Sequence, residues 1–427
     1  MVSAVLFISL AVFLILNLPV GIAIGLSSLC AIIAGESLST SYISQTLVTS
    51  VDSFPIMAIP LFILAGDLMG AGGVSKRILD VCNVFFGRIT GGLAIVTVVV
   101  CMFFAAVSGS GPATVAAVGS MVVPAMLKKG YSKSFVLALI ATAGSIGVII
   151  PPSIPMVIFG VSTATSISNL FLGGFFPGLV IGLALIAWCY YYCGKQGWKG
   201  DDEPFSWSRA RHAIWDAKWA LINPLIILGG IYAGIFTPTE AAAVAAVYAF
   251  ICGVFIHREL NFKTVWAPIA NACSTTGTTM VILGCASAFA KILTIEQIPA
   301  MITQSLMTLT ENGIIIILLI NILLLIVGCF MDTTPAIIVL SPILLPVAVS
   351  IGLDPVHFGL IMVVNLAIGF ITPPLGINLF VASRVGQTSL ETVTRGIIPF
   401  ILVMIFCLAL VTFIEPISMF LPKLLKL

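Results

Sequence analysis

The chain has 427 residues and a net charge of +2, and 60% of its residues are hydrophobic while only 8% are charged. Soluble domains carry about 25% charged residues, so this composition excludes a soluble globular protein, and the small net charge gives no sign of a nucleic-acid partner. Apolar runs of about 20 residues, the length that crosses a bilayer, recur along the chain. The composition therefore predicts an all-α membrane protein with many transmembrane segments.

Hydropathy and charge divide the chain into seven segments. The first half consists of apolar helices in 1–74, an amphipathic helix along the membrane interface in 75–91, and a hairpin and a broken helix in 92–173. Further apolar helices follow in 174–290. The second half then has an interfacial helix in 291–312, a second hairpin and broken helix in 313–385, and a last helix in 386–427. Two stretches, Gly35–Asp52 and Lys195–Lys218, are polar, and we expect the second to lie at the surface as a connector between two halves.

Both halves are interrupted at matching places. The hairpins have Ser108–Pro112 and Asp332–Pro335 as their predicted tips, and the broken helices are interrupted at Gly147–Pro155 and Gly369–Gly376. The offset between matching prolines is about 220 positions in each pair. Two halves with interrupted apolar segments at corresponding positions are typical of a secondary transporter whose binding site lies at the repeat interface.

The distribution of basic residues predicts how the halves are oriented. If the first hairpin opens to the cytoplasm, all Lys and Arg residues except Lys291, Lys423 and Lys426 fall on the cytoplasmic side. This asymmetry agrees with the positive-inside rule. It places the two re-entrant hairpins on opposite sides of the membrane, so the repeat is inverted, and it places both termini outside.

The interruptions are the predicted site, because irregular backbone at membrane depth is tolerated only where protein buries it or water reaches it. Free carbonyl ends suit a cation such as Na⁺, and free amide ends suit an anion's oxygens. Hydroxyl groups cluster at the four interruptions, namely those of Ser108, Ser110, Thr114, Ser153, Thr333, Thr334 and Thr372. No Lys or Arg lies in the predicted core, so an anionic substrate would be held by amides, hydroxyls and bound Na⁺.

Three polar residues in apolar surroundings need separate treatment. Asp332 lies at a hairpin tip, where a carboxylate is costly and functional by default; the alternative, that it caps its own helix, is compatible with a site role. Asn378 follows the last interruption and is expected to face the same region as Ser153. Asp67 is expected to pair with a neighbouring helix in a structural role.

Four ordered motifs resemble those of one family. Ser108-Gly-Ser-Gly-Pro-Ala-Thr, Ile150-Pro-Pro-Ser-Ile-Pro, Met331-Asp-Thr-Thr-Pro-Ala and Ile371-Thr-Pro-Pro-Leu-Gly resemble the large membrane (M) subunit of tripartite ATP-independent periplasmic (TRAP) transporters, and the likeness covers essentially the whole chain. The resemblance implies an elevator-type symporter in the bacterial inner membrane, driven by two or more Na⁺ ions. It further implies a separate small four-helix (Q-type) subunit and a soluble periplasmic binding protein that delivers an organic anion, with sialic acid (N-acetylneuraminate) as the best match.

The resemblance also implies roles for individual residues. The substrate would be met by Ser108, Ser153 and Asp332. Thr334 and Asn378 join them as candidate substrate-binding residues because of their own positions at the interruptions. One Na⁺ would lie between Ser110 and the Gly147, Ile150 and Pro151 interruption, and the second between Thr333 and the Gly369 and Thr372 interruption. The hairpins and broken helices would form the moving transport domain, and the segments 1–74, 174–290 and 386–427 would form the scaffold.

Four other functions are possible. One is a C4-dicarboxylate TRAP subunit, and another is a stand-alone Na⁺-coupled divalent-anion carrier, which would transport its substrate without a binding protein. A channel would need an open polar path, which the dense apolar pattern argues against. An enzyme is not expected, because His212, His257 and His357 are all predicted to fall in connecting segments, so no intramembrane His or Lys is expected to activate Ser110.

Overall fold

The computed structural model describes residues 2–16, 18–35, 39–200, 205–310 and 312–425, and over these residues the chain is helical without β-strands. The first ten helices are α1 Val2–Ile15, α2 Val20–Gly35, α3 Thr40–Val51, α4 Ala58–Ala71, α5 Val74–Phe86, α6 Gly92–Ser108, α7 Gly111–Lys128, α8 Lys133–Ser145, α9 Ile154–Thr163 and α10 Ile167–Gln196. The prediction of an all-α chain is confirmed. Lys426 and both chain ends lie outside the described residues.

The second half repeats this order of elements. Its helices are α11 Trp207–Tyr232, α12 Pro238–Ile251, α13 Trp266–Ile295, α14 Ile298–Leu309, α15 Gly313–Phe330, α16 Thr333–Ser350, α17 Pro355–Gly369, α18 Ile377–Val385, α19 Leu390–Phe413 and α20 Pro416–Leu425. Within the described ranges, nine helices are long and apolar enough to cross a membrane.

Two helical hairpins and two broken helices occupy the predicted places. The hairpin α6–α7 turns at Gly109 and Ser110 and the hairpin α15–α16 at Met331 and Asp332, so both turns fall inside or at the edge of the predicted tips. The chain leaves the helix between α8 and α9 and again between α17 and α18, and each interruption contains one cis peptide bond, Pro151–Pro152 and Pro373–Pro374. The hairpins and broken helices pack closely against one another, since most side chains of α6, α8 and α17 are buried.

The two stretches predicted to be polar contain helices within the described residues, α3 in the first and the start of α11 in the second, and the polar composition did not reveal them. In the first, α3 forms because Ile43 is buried and Leu47 packs against Gly284 of α13. In the second, α11 begins at Trp207 and continues through Lys218 without a break. Charged residues occupy one face of that helix while small residues such as Ala217 are buried on the other, so polar composition and helical structure coexist.

Three predicted segment boundaries fall inside single helices, and the one at 74/75 misses the start of α5 at Val74 by one residue. The boundary at 173/174 lies within α10, which begins at Ile167 because the hydroxyl of Ser166 accepts a hydrogen bond from the Asn169 N–H at 3.3 Å and caps the helix. The boundary at 290/291 lies within α13, which extends to Ile295. The hairpins and broken helices keep their predicted positions, so the division into moving and fixed parts stays a prediction with shifted edges.

His357 does not lie in a connecting segment, contrary to the prediction. It is part of α17 and is 1% exposed. Its Nε2 lies 3.3 Å from the Thr412 carbonyl oxygen, and its Nδ1 contacts the Ser418 hydroxyl. His357 therefore ties α17 to α19 and α20 at a distance from the hairpin tips, and it supplies no base to Ser110.

His257, just beyond α12, gives the fold a testable pH dependence. Its Nδ1 lies 3.0 Å from the Gly72 carbonyl oxygen, which fastens α12 to the α4–α5 turn. Burial lowers the pKa of His257 below its usual value, with Arg77 lowering it further, while Gly72 and Glu259 raise it. The folded state thus favours neutral histidine. The stability this gives is fully present above the unfolded-state pKa of about 6.5 and is lost as the pH falls from there through the lower folded-state pKa.

We therefore expect the thermal unfolding temperature of the purified protein to fall between about pH 7.5 and about pH 5.5, and to fall less in His257→Gln. His212→Gln serves as the control, because the His212 side chain is 80% exposed and, within the described ranges of the chain, its ion pair is with Asp216 of the same helix. An equal drop in wild type and His257→Gln would assign the pH dependence to other groups.

Candidate functional site

The tip of the first hairpin is a tight turn held by its own hydroxyl groups. Gly109 adopts a left-handed backbone with a φ of 61°, which glycine tolerates best. Ser110 then begins α7, where its hydroxyl accepts a hydrogen bond from the Ala113 N–H at 3.5 Å. The Ser108 hydroxyl lies 3.0 Å from that of Thr114. The turn therefore gathers three hydroxyl groups at the N-terminus of a helix.

This tip packs directly on the first interruption. The Ile154 N–H donates to the Gly109 carbonyl oxygen at 3.3 Å. A side chain at Gly147 would come within 2.7 Å of the Ser110 carbonyl oxygen and 2.6 Å of the Thr114 hydroxyl. Oxygen atoms of the tip therefore converge on Gly147, and only the absence of a side chain there permits this approach.

Ser153, Ile150 and Pro151 are all buried in the same interruption. The Ser153 hydroxyl donates to the Val148 carbonyl oxygen at 2.6 Å and accepts from the Met156 N–H at 3.4 Å, so it caps α9. Ile150 packs against Gly178 of α10. In this conformation these three buried side chains therefore stabilise the interruption by packing and helix capping.

At the second hairpin tip, Asp332 caps α16. Its Oδ1 accepts from the Thr333 N–H at 2.7 Å and from the Thr333 hydroxyl at 3.4 Å. The capping role expected as one alternative is thus present. One carboxylate oxygen performs it, which leaves the other available to a ligand.

The second interruption contacts a different part of its hairpin than the first interruption does. Gly369 lies directly against Gly328, near the end of α15, and the Leu375 N–H donates to the Cys329 carbonyl oxygen at 3.3 Å. The Thr372 hydroxyl donates to the Ile368 carbonyl oxygen of its own helix at 2.8 Å. The structure therefore brings the Gly369 interruption to α15, whereas Gly147 meets the hairpin tip itself.

A cavity of about 520 Å³ joins the two tips. Its walls include Ser108, Gly109 and Ser110 from the first tip, and Asp332, Thr333 and Thr334 from the second. Val148, Ile154 and Pro155 of the first interruption and Phe370 and Ile377 of the second complete this side. Residues that are more than 200 positions apart in the chain thus line one chamber, as the repeat predicts.

The opposite wall comes from α4 and α13, which sequence reasoning did not assign to the site. Asp67 lines the cavity, and its Oδ2 accepts a hydrogen bond from Asn271 Nδ2 at 2.8 Å. Asn271, Thr275 and Thr279 follow at intervals of four residues along one face of α13. This spacing could have identified the wall, although Ser274, Thr276 and Thr278 of the same helix are also polar and weaken the signal. Both charged residues in the lining, Asp67 and Asp332, are acidic.

Asn378 is fully buried and points away from this cavity. Its Nδ2 donates to the Ala141 carbonyl oxygen at 3.0 Å and to the Ser145 hydroxyl at 3.1 Å. It therefore joins α18 of the second half to α8 of the first, and in this conformation it does not face the region of the hairpin tips.

Comparison with known proteins identifies the family. The family described as "Tripartite ATP-independent periplasmic transporter, DctM component" matches residues 7–417. An isethionate TRAP transporter permease protein, DctMQ, of Oleidesulfovibrio alaskensis is 51% identical over 97% of this chain, and the match spans 66% of that protein's own length, just under two thirds. The C4-dicarboxylate TRAP large permease protein of Vibrio cholerae is 40% identical over all of this chain and 98% of its own, and the sialic acid TRAP large permease protein of the same species is 35% identical over 96% and 95%.

Solved structures support the fold. The YdaH transporter of Alcanivorax borkumensis aligns with a TM-score of 0.58 at 17% identity, covering 89% of this chain and 91% of that one. MtrF of Neisseria gonorrhoeae, described within a class of antimetabolite efflux pumps, aligns with a TM-score of 0.57 at 14% identity, covering 89% and 85%. Such identities carry information about fold alone. Taken with the apolar helices and the matching family, they show that this chain is a multi-pass inner-membrane protein and belongs to the large permease subunits of TRAP transporters, which are not enzymes.

Proposed function

We propose that this chain is the permease subunit of a Na⁺-driven symporter that imports a small organic anion. The observation that carries the proposal is the cavity shared by both hairpin tips and lined by Asp67, Asp332 and several hydroxyl groups. A ligand in this chamber would touch the N-terminal ends of α7 and α16 together.

An anion in this cavity would depend on backbone and hydroxyl donors. Helix N-termini bind anions through free N–H groups and the helix dipole, and α7 and α16 both begin at the chamber, at Gly111 and Thr333. Because the charged residues of the lining are both acidic, an anion alone is disfavoured electrostatically. Bound cations would offset this repulsion, and that requirement is the physical basis of the coupling we propose.

Na⁺ is the proposed coupling ion, and the first interruption suits it well. The Ser110 carbonyl and the Thr114 hydroxyl converge on Gly147, and oxygen atoms are the ligands that hard cations prefer. Ser110 and the carbonyl groups near Gly147, Ile150 and Pro151 would hold the first ion. Thr333, Gly369 and Thr372 would hold the second once the Gly369 interruption, which lies against α15 in this conformation, approaches the hairpin tip. Each ion would supply positive charge beside the anion.

We further propose that transport proceeds by an elevator movement of the two hairpins and broken helices against a scaffold. The cavity supports this division, since its tips come from the proposed moving segments while α4 and α13 belong to the proposed scaffold. In this proposal the hairpins are re-entrant from opposite sides, the repeat is inverted and both termini face the periplasm. A small four-helix membrane subunit and a periplasmic binding protein are the proposed partners, consistent with the tripartite family.

The proposed substrate is a small anion of the isethionate class. The relative named for isethionate is 51% identical to this chain, compared with 40% for one named for C4-dicarboxylates and 35% for one named for sialic acid. The sialic acid expectation from the sequence thus has less support, although a cavity of about 520 Å³ has room for each of these anions.

Uptake into liposomes tests this proposal. The chain would be reconstituted with its small subunit, and uptake of labelled isethionate, succinate and N-acetylneuraminate measured under an inward Na⁺ gradient, with and without the binding protein. We expect isethionate uptake that requires both Na⁺ and the binding protein. Uptake of another anion would keep the mechanism and change the substrate, and uptake without the binding protein would indicate a stand-alone carrier.

A further inference from the structure

The wall of the chamber that α4 and α13 form has polar groups of its own, opposite the two hairpin tips. These groups are the side chains of Asp67, Asn271, Thr275 and Thr279. The anion and Na⁺ contacts proposed above all come from the tips and the interruptions. A solute whose anionic group lies at the tips would therefore present its other end to this wall.

Asp67 lies beside the contact between α4 and the first tip. A methyl group at Gly66 would come within 2.9 Å of Ser108 Cα and 3.2 Å of Ser108 Cβ, so the α4 backbone touches the tip one residue before Asp67. One turn further along, a methyl group at Gly70 would lie 3.6 Å from the Phe104 ring of the same hairpin. Because Gly66, Asp67 and Gly70 share one face of α4, a small solute can reach the tip and Asp67 at the same time.

One carboxylate oxygen of Asp67 is free to meet a ligand. Asp67 Oδ2 accepts a hydrogen bond from Asn271 Nδ2 at 2.8 Å, whereas Oδ1 has no hydrogen-bond partner among the described residues. An ionised carboxylate accepts hydrogen bonds and cannot donate them. The free oxygen therefore favours a ligand group that donates a hydrogen bond, and it repels a second anionic group.

Thr275 indicates which kind of donor fits. It follows Asn271 by one turn of α13, so the two side chains are neighbours on the chamber wall. In the part of the chain that the structure describes, the Thr275 hydroxyl forms no hydrogen bond and is able to donate one. A hydroxyl group of the solute can donate to Asp67 and accept from Thr275, whereas an ammonium group has no lone pair with which to accept. The two residues together therefore fit a hydroxyl group.

We infer that the imported anion carries a hydroxyl group at the end opposite its charge, and that Asp67 and Thr275 select for it. This inference rests on the anion import proposed above. The hydroxyl group donates to Asp67 Oδ1 and accepts from Thr275, while Asn271 positions the carboxylate. The same carboxylate rejects a dianion, whose second charged group would lie beside it. Selectivity thus has an attractive and a repulsive part.

Binding of three sulfonates to the chain, purified with its small subunit, tests this inference without transport and without the binding protein. Isethionate, ethanesulfonate and ethane-1,2-disulfonate differ only at one end, where they carry a hydroxyl group, no polar group and a second sulfonate. Apparent dissociation constants in Na⁺ buffer follow from the rise in unfolding temperature with ligand concentration.

Three variants accompany the wild type. Asp67→Asn removes the charge, and its amide oxygen can still accept the bond from Asn271. The matched control is Asp52→Asn, which removes one charge from an exposed residue outside the chamber. Thr275→Val removes the second contact to the hydroxyl group, and it carries the test if Asp67→Asn does not fold.

We expect the wild type to bind isethionate about 10- to 150-fold more tightly than ethanesulfonate, the range for a hydrogen bond to a charged group, and to bind the disulfonate most weakly. In Asp67→Asn the preference for isethionate is expected to fall to about 2- to 10-fold, the range for a neutral hydrogen bond, and disulfonate binding to improve. Thr275→Val is expected to weaken isethionate binding alone, by about 2- to 10-fold. Asp52→Asn is expected to keep the wild-type preferences.

The outcomes separate this inference from the function on which it rests. Equal binding of isethionate and ethanesulfonate by the wild type, or an unchanged preference in Asp67→Asn, overturns the inference and leaves the anion site in place. Equal weakening of all three ligands in Asp67→Asn, relieved by more Na⁺, would make Asp67 an ion ligand and also overturn it. Failure of the wild type to bind any of the three sulfonates would contradict the proposed import of such anions, and the inference with it.

Discussion

Replacing Asp332 by Asn is expected to reduce the rate of Na⁺-driven uptake about 10- to 150-fold. Hydrogen bonds to a charged group contribute about 1.5–3 kcal/mol, and the variant lacks the charged carboxylate that would accept such a bond from a ligand. Asn is as good a helix cap as Asp, so the bond from the Thr333 N–H at 2.7 Å can be kept. The substitution therefore removes the charge in the cavity while preserving the start of α16. Initial uptake rates in liposomes, normalised to the amount of folded protein, measure the effect.

Asp354→Asn is the matched control for this prediction. Asp354 caps α17 as Asp332 caps α16, accepting from the Val356 N–H at 2.8 Å, but it lies outside the cavity between the tips. We expect near-normal uptake in this variant. Equal loss in both variants would mean that the caps matter for folding alone, and normal uptake in Asp332→Asn would remove Asp332 from the site.

Gly147→Ala is expected to weaken both transport and stability. The new methyl group would lie 2.7 Å from the Ser110 carbonyl oxygen and 2.6 Å from the Thr114 hydroxyl, too close for either to remain in place. Overpacking of this kind costs about 1–3 kcal/mol. Because it displaces the oxygen atoms proposed to hold Na⁺, we expect uptake to need a higher Na⁺ concentration for half-maximal rate, together with a lower thermal unfolding temperature.

Gly229→Ala provides the control for the Gly147 prediction. Gly229 lies inside α11, and an added methyl group there meets no atom within 4 Å. Since alanine is the better helix former by about 1 kcal/mol, this variant is expected to be as stable as wild type or slightly more so, with unchanged Na⁺ dependence. An unchanged Na⁺ dependence in Gly147→Ala would contradict the first ion site even if stability fell.

The lining of the candidate site was only half visible in the sequence. Ser108, Ser110, Asp332 and Thr334 stood out because they accompany Gly and Pro in otherwise apolar runs, and the structure brings all of them to one cavity. Asn271 gave a weaker signal because it lies in an uninterrupted helix with other polar residues nearby. The position of Asn378 just after an interruption predicted a site residue. In the structure α18 packs on α8, and the Asn378 side chain is hydrogen-bonded to the Ala141 carbonyl oxygen of α8 instead.

The two polar stretches also contain helices that their composition did not predict. Composition described Lys195–Lys218 correctly as polar, but it did not reveal that α11 starts at Trp207, since a helix with one charged face has the same composition as a connector. The starts of α10 and α3 were also missed, because each depends on local capping or on a neighbouring helix.

The membrane class, the all-helical fold, the repeated order of hairpin and broken helix, and the family could all be predicted from the amino-acid sequence. These follow from local properties: the length of apolar runs, the conformational limits of Gly and Pro, and motifs that are short and contiguous. Three features became visible only in the folded protein: both tips line one cavity, α4 and α13 complete its walls, and Gly147 contacts a hairpin tip while Gly369 contacts α15. These three features depend on contacts between residues that can be more than 200 positions apart in the chain. Such contacts are set by packing rather than by any pattern within a single segment.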